Sequence, residues 1–368
     1  MANTSVSYKC PNCGAPLSFI PGKTTVTCEY CGTEFEVAAV EEMFRAKEEL
    51  AARAQEAREA KWDTSNAGEE WTSDEAAALK AFTCSSCGAE IVCDENTMAT
   101  ECVYCGNPTM IPKRFDGALK PDLVIPFKKN KQDAVAALKK FYEGRWLLPS
   151  NFTANNRVEA IQPMYVPFWL FDSGVEAHAD FRAAIRRVYD VGDEVVTERR
   201  VYSCHRSGTM KFSKIPADGS KKMNDDFMDS IEPFDYSELV DFSTAYLTGY
   251  LADKYDVSAD ECSERVNKRM ENSAVDVLKE AVQGYDECEV EEAVVVKDIG
   301  KVLYAMVPVW ILTTRYENKP YTFMMNGQTG KVVGSLPYDT FKSFLYPAIL
   351  AILLTPVMYF VVEICLSL

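Results

Sequence analysis

The chain has 368 residues, and 47% of them are hydrophobic. That is enough for two or three compact units, each with a core of its own. The formal net charge is -16, which argues against a nucleic-acid-binding protein, because contacts to phosphates need clustered Lys and Arg side chains.

The chain has 13 cysteines, of which eight fall in regular pairs and the rest are scattered. The scattered cysteines form no pairing framework, so we expect a reducing compartment. Residues 1–9 are polar and contain no apolar segment, so we expect no secretory signal there. The scattered cysteines are Cys93, Cys204, Cys262, Cys288 and Cys365.

Two copies of one cysteine pattern stand near the start of the chain. In each copy, two Cys-x-x-Cys pairs are separated by fourteen residues, a spacing typical of a zinc ribbon with four cysteine ligands. A closed four-sulfur site holds a fold and leaves no position for a substrate. We therefore predict two structural Zn²⁺ sites, in ribbons at residues 1–36 and 81–112. The predicted ligands are Cys10, Cys13, Cys28 and Cys31 in the first ribbon and Cys84, Cys87, Cys102 and Cys105 in the second.

The two ribbons correspond beyond their cysteines. A glycine follows the second cysteine of every pair, where the chain must turn sharply and glycine adopts positive φ without penalty. Glu29-Tyr30 of the first ribbon matches Val103-Tyr104 of the second, so the pattern indicates an internal duplication. Two other interpretations of the cysteines stay open, namely one disulfide in each ribbon or a rubredoxin-like iron centre, which the Cys10-Pro-x-Cys-Gly sequence also suits.

Residues 37–80 are predicted to link the ribbons and to begin with a charged helix. From Val37 to Lys61 the sequence is rich in Ala, Glu and Arg and lacks Gly and Pro, and Glu41 with Arg45 has the favourable i,i+4 order. A solvated spacer is the main interpretation, and residues 63–74 are predicted to form a flexible joint. A coiled-coil partner is the alternative, because the helix carries a partial apolar stripe. The stripe consists of Val40, Met43, Phe44 and Leu50.

Residues 113–340 are predicted to form a mixed α+β body. A short strand at 123–127 precedes an amphipathic helix that runs through Tyr142. An apolar strand at 164–171 is repeated at 305–312, and both copies contain a Val-Pro-x-Trp signature. We therefore predict two related half-sheets, in which each proline marks an edge, a bulge or a strand start.

Two further features lie within this body. Ser258 and Glu261 form a capping box, which predicts a helix that runs to about Val282. Residues 224–253 hold eight acids and no base. Such a run is typical of a solvated face, and a docking surface for a basic partner is the alternative.

The C-terminal segment from Phe344 to Val362 carries no charge. As a helix it would span roughly 28 Å, close to the hydrocarbon thickness of a bilayer, so residues 343–368 are predicted to form one transmembrane tail anchor. A buried core helix is the alternative. Lys342 precedes the segment and no base follows it, which predicts a single-pass protein of the cytoplasmic membrane with its N-terminal body in the cytosol. The fold class is therefore α+β multidomain.

Taken together, these motifs resemble a family of bacterial membrane-associated proteins with a TFIIB-type zinc ribbon. The resemblance covers nearly the whole chain and implies a scaffold or recruiter at the inner face of the cytoplasmic membrane, beside SPFH-domain and phage-shock-A-like membrane-stress proteins. Only the eight ribbon cysteines carry over as defined sites. Besides the ribbons and the tail, the motifs are Phe127, Gly144-Arg145-Trp146, the two Val-Pro-x-Trp segments and Asn326-Gly327-Gln328-Thr329-Gly330.

These expectations favour a non-enzymatic adaptor, anchored in the membrane, that recruits protein partners and responds to membrane stress. The first alternative is a nucleic-acid-binding protein of transcription or replication, although neither ribbon has a Lys- or Arg-rich stripe. The second is an enzyme, which would depend on His178 or His205, the only histidines. Cys204 precedes His205, but adjacent residues of a strand point to opposite faces. The sequence does not indicate an oligomeric state.

Overall fold

The computed structural model describes residues 8–367, apart from 21, 100, 116–118, 156, 157, 224 and 318, and leaves aside the side chains of 114, 153–155, 357, 361 and 363–367. The expectations for Met1–Ser7 and Leu368 lie outside these residues. The described chain is a mixed α+β protein with two N-terminal four-cysteine groups, a large sheet and a C-terminal helix. This confirms the predicted α+β class.

Helices and strands are interspersed along the chain. The described strands are β1 Thr25–Thr27, β2 Glu34–Glu36, β3 Leu79–Cys84, β4 Glu90–Asp94, β5 Met110–Arg114, β6 Leu123–Val124, β7 Gln162–Val191, β8 Glu194–Asp218, β9 Val240–Asp241, β10 Leu251–Asp253, β11 Glu287–Lys297, β12 Lys301–Tyr316, β13 Lys319–Asn326 and β14 Val332–Gly334. The described α-helices are α1 Val37–Glu59, α2 Ser73–Ala77, α3 Lys131–Tyr142, α4 Ser150–Asn155, α5 Asp225–Ile231, α6 Ala259–Glu280 and α7 Thr340–Ser367.

The chain divides into two compact units, and each contains several separate segments. Unit 1 comprises Met1–Asn66, Leu170–Ala217 and Ala259–Val302. Unit 2 comprises Ala67–Trp169, Asp218–Ser258 and Leu303–Leu368. The first four-cysteine group belongs to unit 1, whereas the second group and α7 belong to unit 2.

In unit 1, strands β8 and β11 pair with the part of β7 that belongs to this unit, and together they form a long arm that supports α1. The two-stranded hairpin β1–β2 leads directly into α1, and Val26 opposes Phe35 in its register. Strand β11 pairs with β7 in antiparallel fashion, with a bulge between Val290 and Glu292. Helix α1 lies against β11 and is held to the arm and to α6 by ion pairs. These are Lys47–Asp180 at 2.8 Å, Arg53–Glu176 at 2.8 Å and Arg58–Glu271 at 3.0 Å.

In unit 2, the second ribbon is part of the main sheet. The strand order is β14-β13-β12-β7-β10-β4-β3-β5. Ribbon strand β4 pairs antiparallel with β10, with Val92 opposite Ala252, and β10 runs parallel to β7. Helix α3 packs on the other end of the sheet, where it buries Leu138 beside Trp310 and Phe323. Backbone hydrogen bonds therefore connect this ribbon to the body of unit 2.

The two Val-Pro-x-Trp segments make matching hydrogen bonds. The carbonyl of Pro167 accepts from Gly219 N, and the carbonyl of Pro308 accepts from Gly327 N, both at 2.8 Å. The indole of Trp169 donates to a backbone carbonyl at 2.9 Å, and the indole of Trp310 does so at 3.0 Å. The accepting carbonyls are those of Val257 and Lys129.

Strand pairing crosses between these two halves. Strand β6, which precedes the first Val-Pro-x-Trp copy in the chain, runs parallel to β12, which holds the second copy. Strand β10, which precedes the second copy, runs parallel to β7, which holds the first. Each half is therefore completed by a short strand from the other half.

Candidate metal centres

The four cysteines of the first ribbon converge in space. The Sγ atoms of Cys10 and Cys31 are 3.7 Å apart, and those of Cys13 and Cys28 are 3.5 Å apart. All four lie within 4.8 Å of one another. A tetrahedral ion with metal–sulfur bonds of about 2.3 Å places its sulfurs about 3.8 Å apart, whereas a disulfide needs about 2.05 Å. The spacing therefore fits a group that could hold a metal ion.

The second ribbon repeats this geometry. Cys84 and Cys105 are 3.6 Å apart at their Sγ atoms, and so are Cys87 and Cys102. These four sulfurs also lie within 4.8 Å of one another. The structure thus brings together all eight cysteines that the sequence singled out, four in each group.

Each Cys-x-x-Cys-Gly segment folds as the same tight turn. The glycine N–H donates to the carbonyl of the first cysteine at 2.8 to 3.0 Å in all four turns. In the first turn, for example, Gly14 donates to Cys10 at 2.8 Å and has a φ of 73°. A positive φ of this size strains any residue with a Cβ. The glycine after each pair is therefore a requirement of the turn.

In each group, local hydrogen-bond donors favour the thiolate of one cysteine, the form that metals bind. Hydrogen bonds from the hydroxyl and the backbone N–H of Thr33 lower the pKa of Cys31 to about 6. Burial opposes the ionisation of Cys84, but the backbone N–H groups of Cys87 and Ser86 lower its pKa to about 6. The backbone N–H of Ala15 favours a thiolate at Cys13, but desolvation and the Cys28 thiol raise the pKa of Cys13 to about 12. Burial raises the pKa of Cys87 and of Cys102 as well. Each group therefore contains one acidic thiol and at least one that ionises less readily than usual. Such a donor set fits a Zn²⁺ ion, and the same donors fit iron.

The first ribbon is a small structure built on α1. Its core consists of buried Cys10, Leu17, Val26 and Cys28, closed by Val40 from the first turn of α1. Cys13 and Cys31 are exposed. Two large side chains of this ribbon also face solvent. Tyr30 is 74% exposed and Ile20 is 60% exposed.

The second ribbon is held by the body of unit 2 through the backbone of its turns. Thr313 Oγ1 donates to the carbonyl of Val103 at 2.6 Å. Arg315 donates to the carbonyl of Cys105 at 3.3 Å, and Lys222 Nζ donates to the carbonyl of Cys87 at 2.8 Å. Two of these acceptors belong to predicted metal ligands, so the body fixes the turns that carry the sulfurs.

A buried carboxyl lies behind this ribbon. Asp253, at the end of β10, is only 3% exposed, and burial raises its pKa to about 7. The hydroxyl of Tyr104 is buried close to it, and burial together with the charge of Asp253 raises the pKa of Tyr104 well above its usual value. No pattern in the sequence indicated this cluster, because Asp253 ends an acidic run that is typical of a solvated face.

The two histidines also meet, which the sequence did not indicate. The rings of His178 on β7 and His205 on β8 have centroids 6.1 Å apart. His205 Nδ1 lies 2.8 Å from Asp180 Oδ1, and His178 Nε2 lies 3.0 Å from Glu176 Oε1. Cys204 is buried, whereas His205 is exposed.

The C-terminal helix α7 is long and apolar enough to span a membrane. Its segment Thr340–Phe360 has 21 residues, a mean hydropathy of 1.8 and no buried part. Helix α7 continues through Pro347 and Pro356. The predicted apolar helix is therefore present, and its side chains find no core to cover them within the described part of the chain.

Comparison with known proteins gives one extended similarity. The chain is 35% identical over 339 residues to a Bacillus subtilis (strain 168) protein whose printed name is "Uncharacterized protein YdjG", and the match covers 92% of both chains. The chain belongs to the YdjG family. No protein-family model matches it, and no solved structure matches it.

The similarity to YdjG extends over 92% of each chain, so it reaches beyond the cysteine-rich segments at residues 10–31 and 84–105. It therefore concerns the α+β body as well as the ribbons. The printed name of YdjG assigns no activity.

Proposed function

We propose that this protein is a non-enzymatic adaptor anchored in the cytoplasmic membrane, and that its first zinc ribbon binds a protein partner in the cytosol. One observation carries the proposal. The two ribbons have the same cysteine geometry, but among the described residues only the second has its turns bound by the sheet of its own unit. In the first ribbon, Tyr30 and Ile20 remain as exposed apolar side chains.

Zinc is the proposed occupant of both four-cysteine groups. A ribbon of about thirty residues is too small to be stable through its core alone, so the free energy of metal binding becomes folding free energy. The sulfur spacing and the acidic thiols support Zn²⁺, and iron remains the competing metal. Both ions serve structure in this account, since four cysteines leave no open coordination position.

The membrane location is proposed from α7. Its apolar side chains are exposed, and a helix of 21 residues with this hydropathy is long enough to bury them in a bilayer. Lys342 at the start of the helix supports a cytosolic body under the positive-inside rule. Thiolate metal sites and free cysteines also persist best in the reducing cytosol.

The class of partner is proposed from the resemblance of the whole chain to zinc-ribbon membrane proteins. It implies SPFH-domain or phage-shock-A-like proteins of the membrane-stress response as partners. Recruitment of such proteins by the first ribbon would place them beside the bilayer. The net charge of -16 supports a protein partner over a nucleic acid.

Affinity purification tests this proposal. The full-length protein and a Cys28→Ser/Cys31→Ser variant are purified from membranes in mild detergent, and their co-purifying proteins are quantified by mass spectrometry. We expect the wild type to retain a specific partner that the variant loses, while both stay in the membrane fraction. Retention of the same partners by both chains would contradict the proposed role of the first ribbon.

A further inference from the structure

A loop of unit 2 is tied to the first turns of the membrane helix. This loop, residues 143–148, lies in the connection between α3 and α4. Asp339 N, just before α7, donates to the carbonyl of Leu147 at 2.8 Å. Lys342 Nζ donates to the carbonyl of Leu148, also at 2.8 Å. These two hydrogen bonds therefore fix the position of the loop along the axis of α7.

Trp146 of this loop contacts α7 four residues beyond Lys342. Its ring packs on the ring of Tyr346 with centroids 5.6 Å apart. Tyr346 is the third residue of the uncharged stretch that begins at Phe344. A bilayer that accommodates this stretch therefore also lies close to the Trp146 ring, because that ring packs on Tyr346.

The surface around Trp146 has the composition of a membrane interface. Trp146 is 73% exposed and Tyr338 is 69% exposed, and Leu147 beside them is 39% exposed. Trp and Tyr concentrate at the headgroup level of membranes because their rings combine apolar area with a polar group. An open groove of about 490 Å³ separates residues 143–148 from 336–338.

One exposed basic side chain, that of Arg145, borders this surface. The Arg145 guanidinium is exposed and stands over the ring of Phe141, 5.1 Å from its centroid. Lys342 is half-buried at the start of α7, where its Nζ donates to the Leu148 carbonyl and lies 3.9 Å from Asp339 Oδ2. Glu143 of the loop is exposed, so Arg145 is the basic side chain of this surface that can reach lipid headgroups. Long basic side chains place their stems on apolar surface and their charges among lipid headgroups.

We propose that the 143–148 loop is a second membrane-binding element, which inserts Trp146 and Leu147 into the headgroup region of the bilayer that holds α7. The proposal rests on the membrane location proposed above. A single helix leaves the body free to rotate and tilt, whereas a second contact beside its start fixes the face that unit 2 turns to the lipid.

Quenching by brominated lipids tests this inference. The full-length protein is reconstituted into vesicles of phosphatidylcholine and phosphatidylglycerol, in which a fraction of the phosphatidylcholine carries bromine near the headgroup end of its acyl chains. We compare wild type with Trp146→Phe and Trp71→Phe. Trp71 is the matched control because it is half-buried and packs on Phe115 and Phe242.

We expect bromine to quench part of the wild-type emission, and Trp146→Phe to lose most of that quenching while Trp71→Phe keeps it. Vesicle flotation is measured on the same samples. Flotation with equal quenching in Trp146→Phe and wild type would overturn the second contact and leave the anchor intact. Failure of the wild type to float would overturn both proposals. Near-UV circular dichroism verifies that each variant is folded.

Discussion

Tyr30 and Tyr104 hold the same position in the two ribbons, one residue before the last cysteine of each four-cysteine group, but their surroundings differ. Tyr30 is 74% exposed. The hydroxyl of Tyr104 is buried close to the carboxyl of Asp253. The duplicated sequence therefore places one tyrosine in solvent and packs the other against the body of unit 2.

This difference predicts opposite effects of the same substitution. Tyr30→Ala should change the free energy of unfolding by less than about 0.5 kcal/mol, as is usual for exposed sites, and should weaken partner binding. Tyr104→Ala should destabilise unit 2 by about 2–4 kcal/mol, because it leaves a cavity beside a buried carboxyl. Chemical denaturation and partner titration measure the two effects. Equal losses of stability in both variants would contradict the assigned roles.

Loss of each metal should have different structural consequences. Cys28→Ser/Cys31→Ser should remove one metal ion per chain and expose the amides of β1 and β2 to hydrogen exchange, while β4 stays protected. Cys102→Ser/Cys105→Ser should also remove one ion but should expose β4 and β10, since these strands pair with each other. Hydrogen exchange followed by mass spectrometry measures both. If the faster exchange in the second variant were confined to its ribbon and β10 stayed protected, the ribbon would not be coupled to the sheet.

Asp253 should make stability depend on pH. The pKa of Asp253 is about 7 in the folded chain and 3.8 in the unfolded chain, so folding favours the protonated carboxyl. Its contribution to the free energy of unfolding is therefore fully present below pH 3.8 and is lost as pH rises through about 7. Asp253→Asn should therefore be more stable than wild type at pH 8, by on the order of a few kcal/mol at most, and the difference should shrink toward about pH 5. Denaturant titrations at several pH values measure it. A constant difference across this range would show that Asp253 does not titrate as expected.

The matching tryptophans should contribute similar amounts to stability. Trp169→Phe and Trp310→Phe each remove one indole N–H and leave a backbone carbonyl without its donor. Each should cost about 1–3 kcal/mol, and exposed Trp146→Phe serves as the control with little effect. Urea unfolding of the three variants provides the comparison. A loss at only one of the two sites would indicate that the halves are not equivalent.

The cysteine pattern and the apolar C-terminal stretch were sufficient to predict the four-cysteine groups and the apolar helix, because both depend on local spacing. The membership of β4 in the main sheet could not be predicted in this way. Its partner β10 has 3 residues and lies at the end of an acidic run, so no alternating pattern marks it as a strand. Pairing between segments so far apart in sequence is decided by the packing of the whole unit.

The His178–His205 contact illustrates the same limit. Strand β7 has 30 residues and strand β8 has 25, and the register of their pairing sets which residues face each other. A shift of one residue would move His205 to the opposite face of the arm. The register could not be read from the sequence, whereas the Val-Pro-x-Trp copies were recognised because they repeat.

The most direct test of the central claim is the metal content of the full-length protein recovered from the membrane fraction, measured by elemental analysis against protein concentration. We predict two zinc ions per chain, one for each four-cysteine group, in material that is solubilised only by detergent. A folded chain without metal, or an intact chain that remains soluble without detergent, would contradict the account.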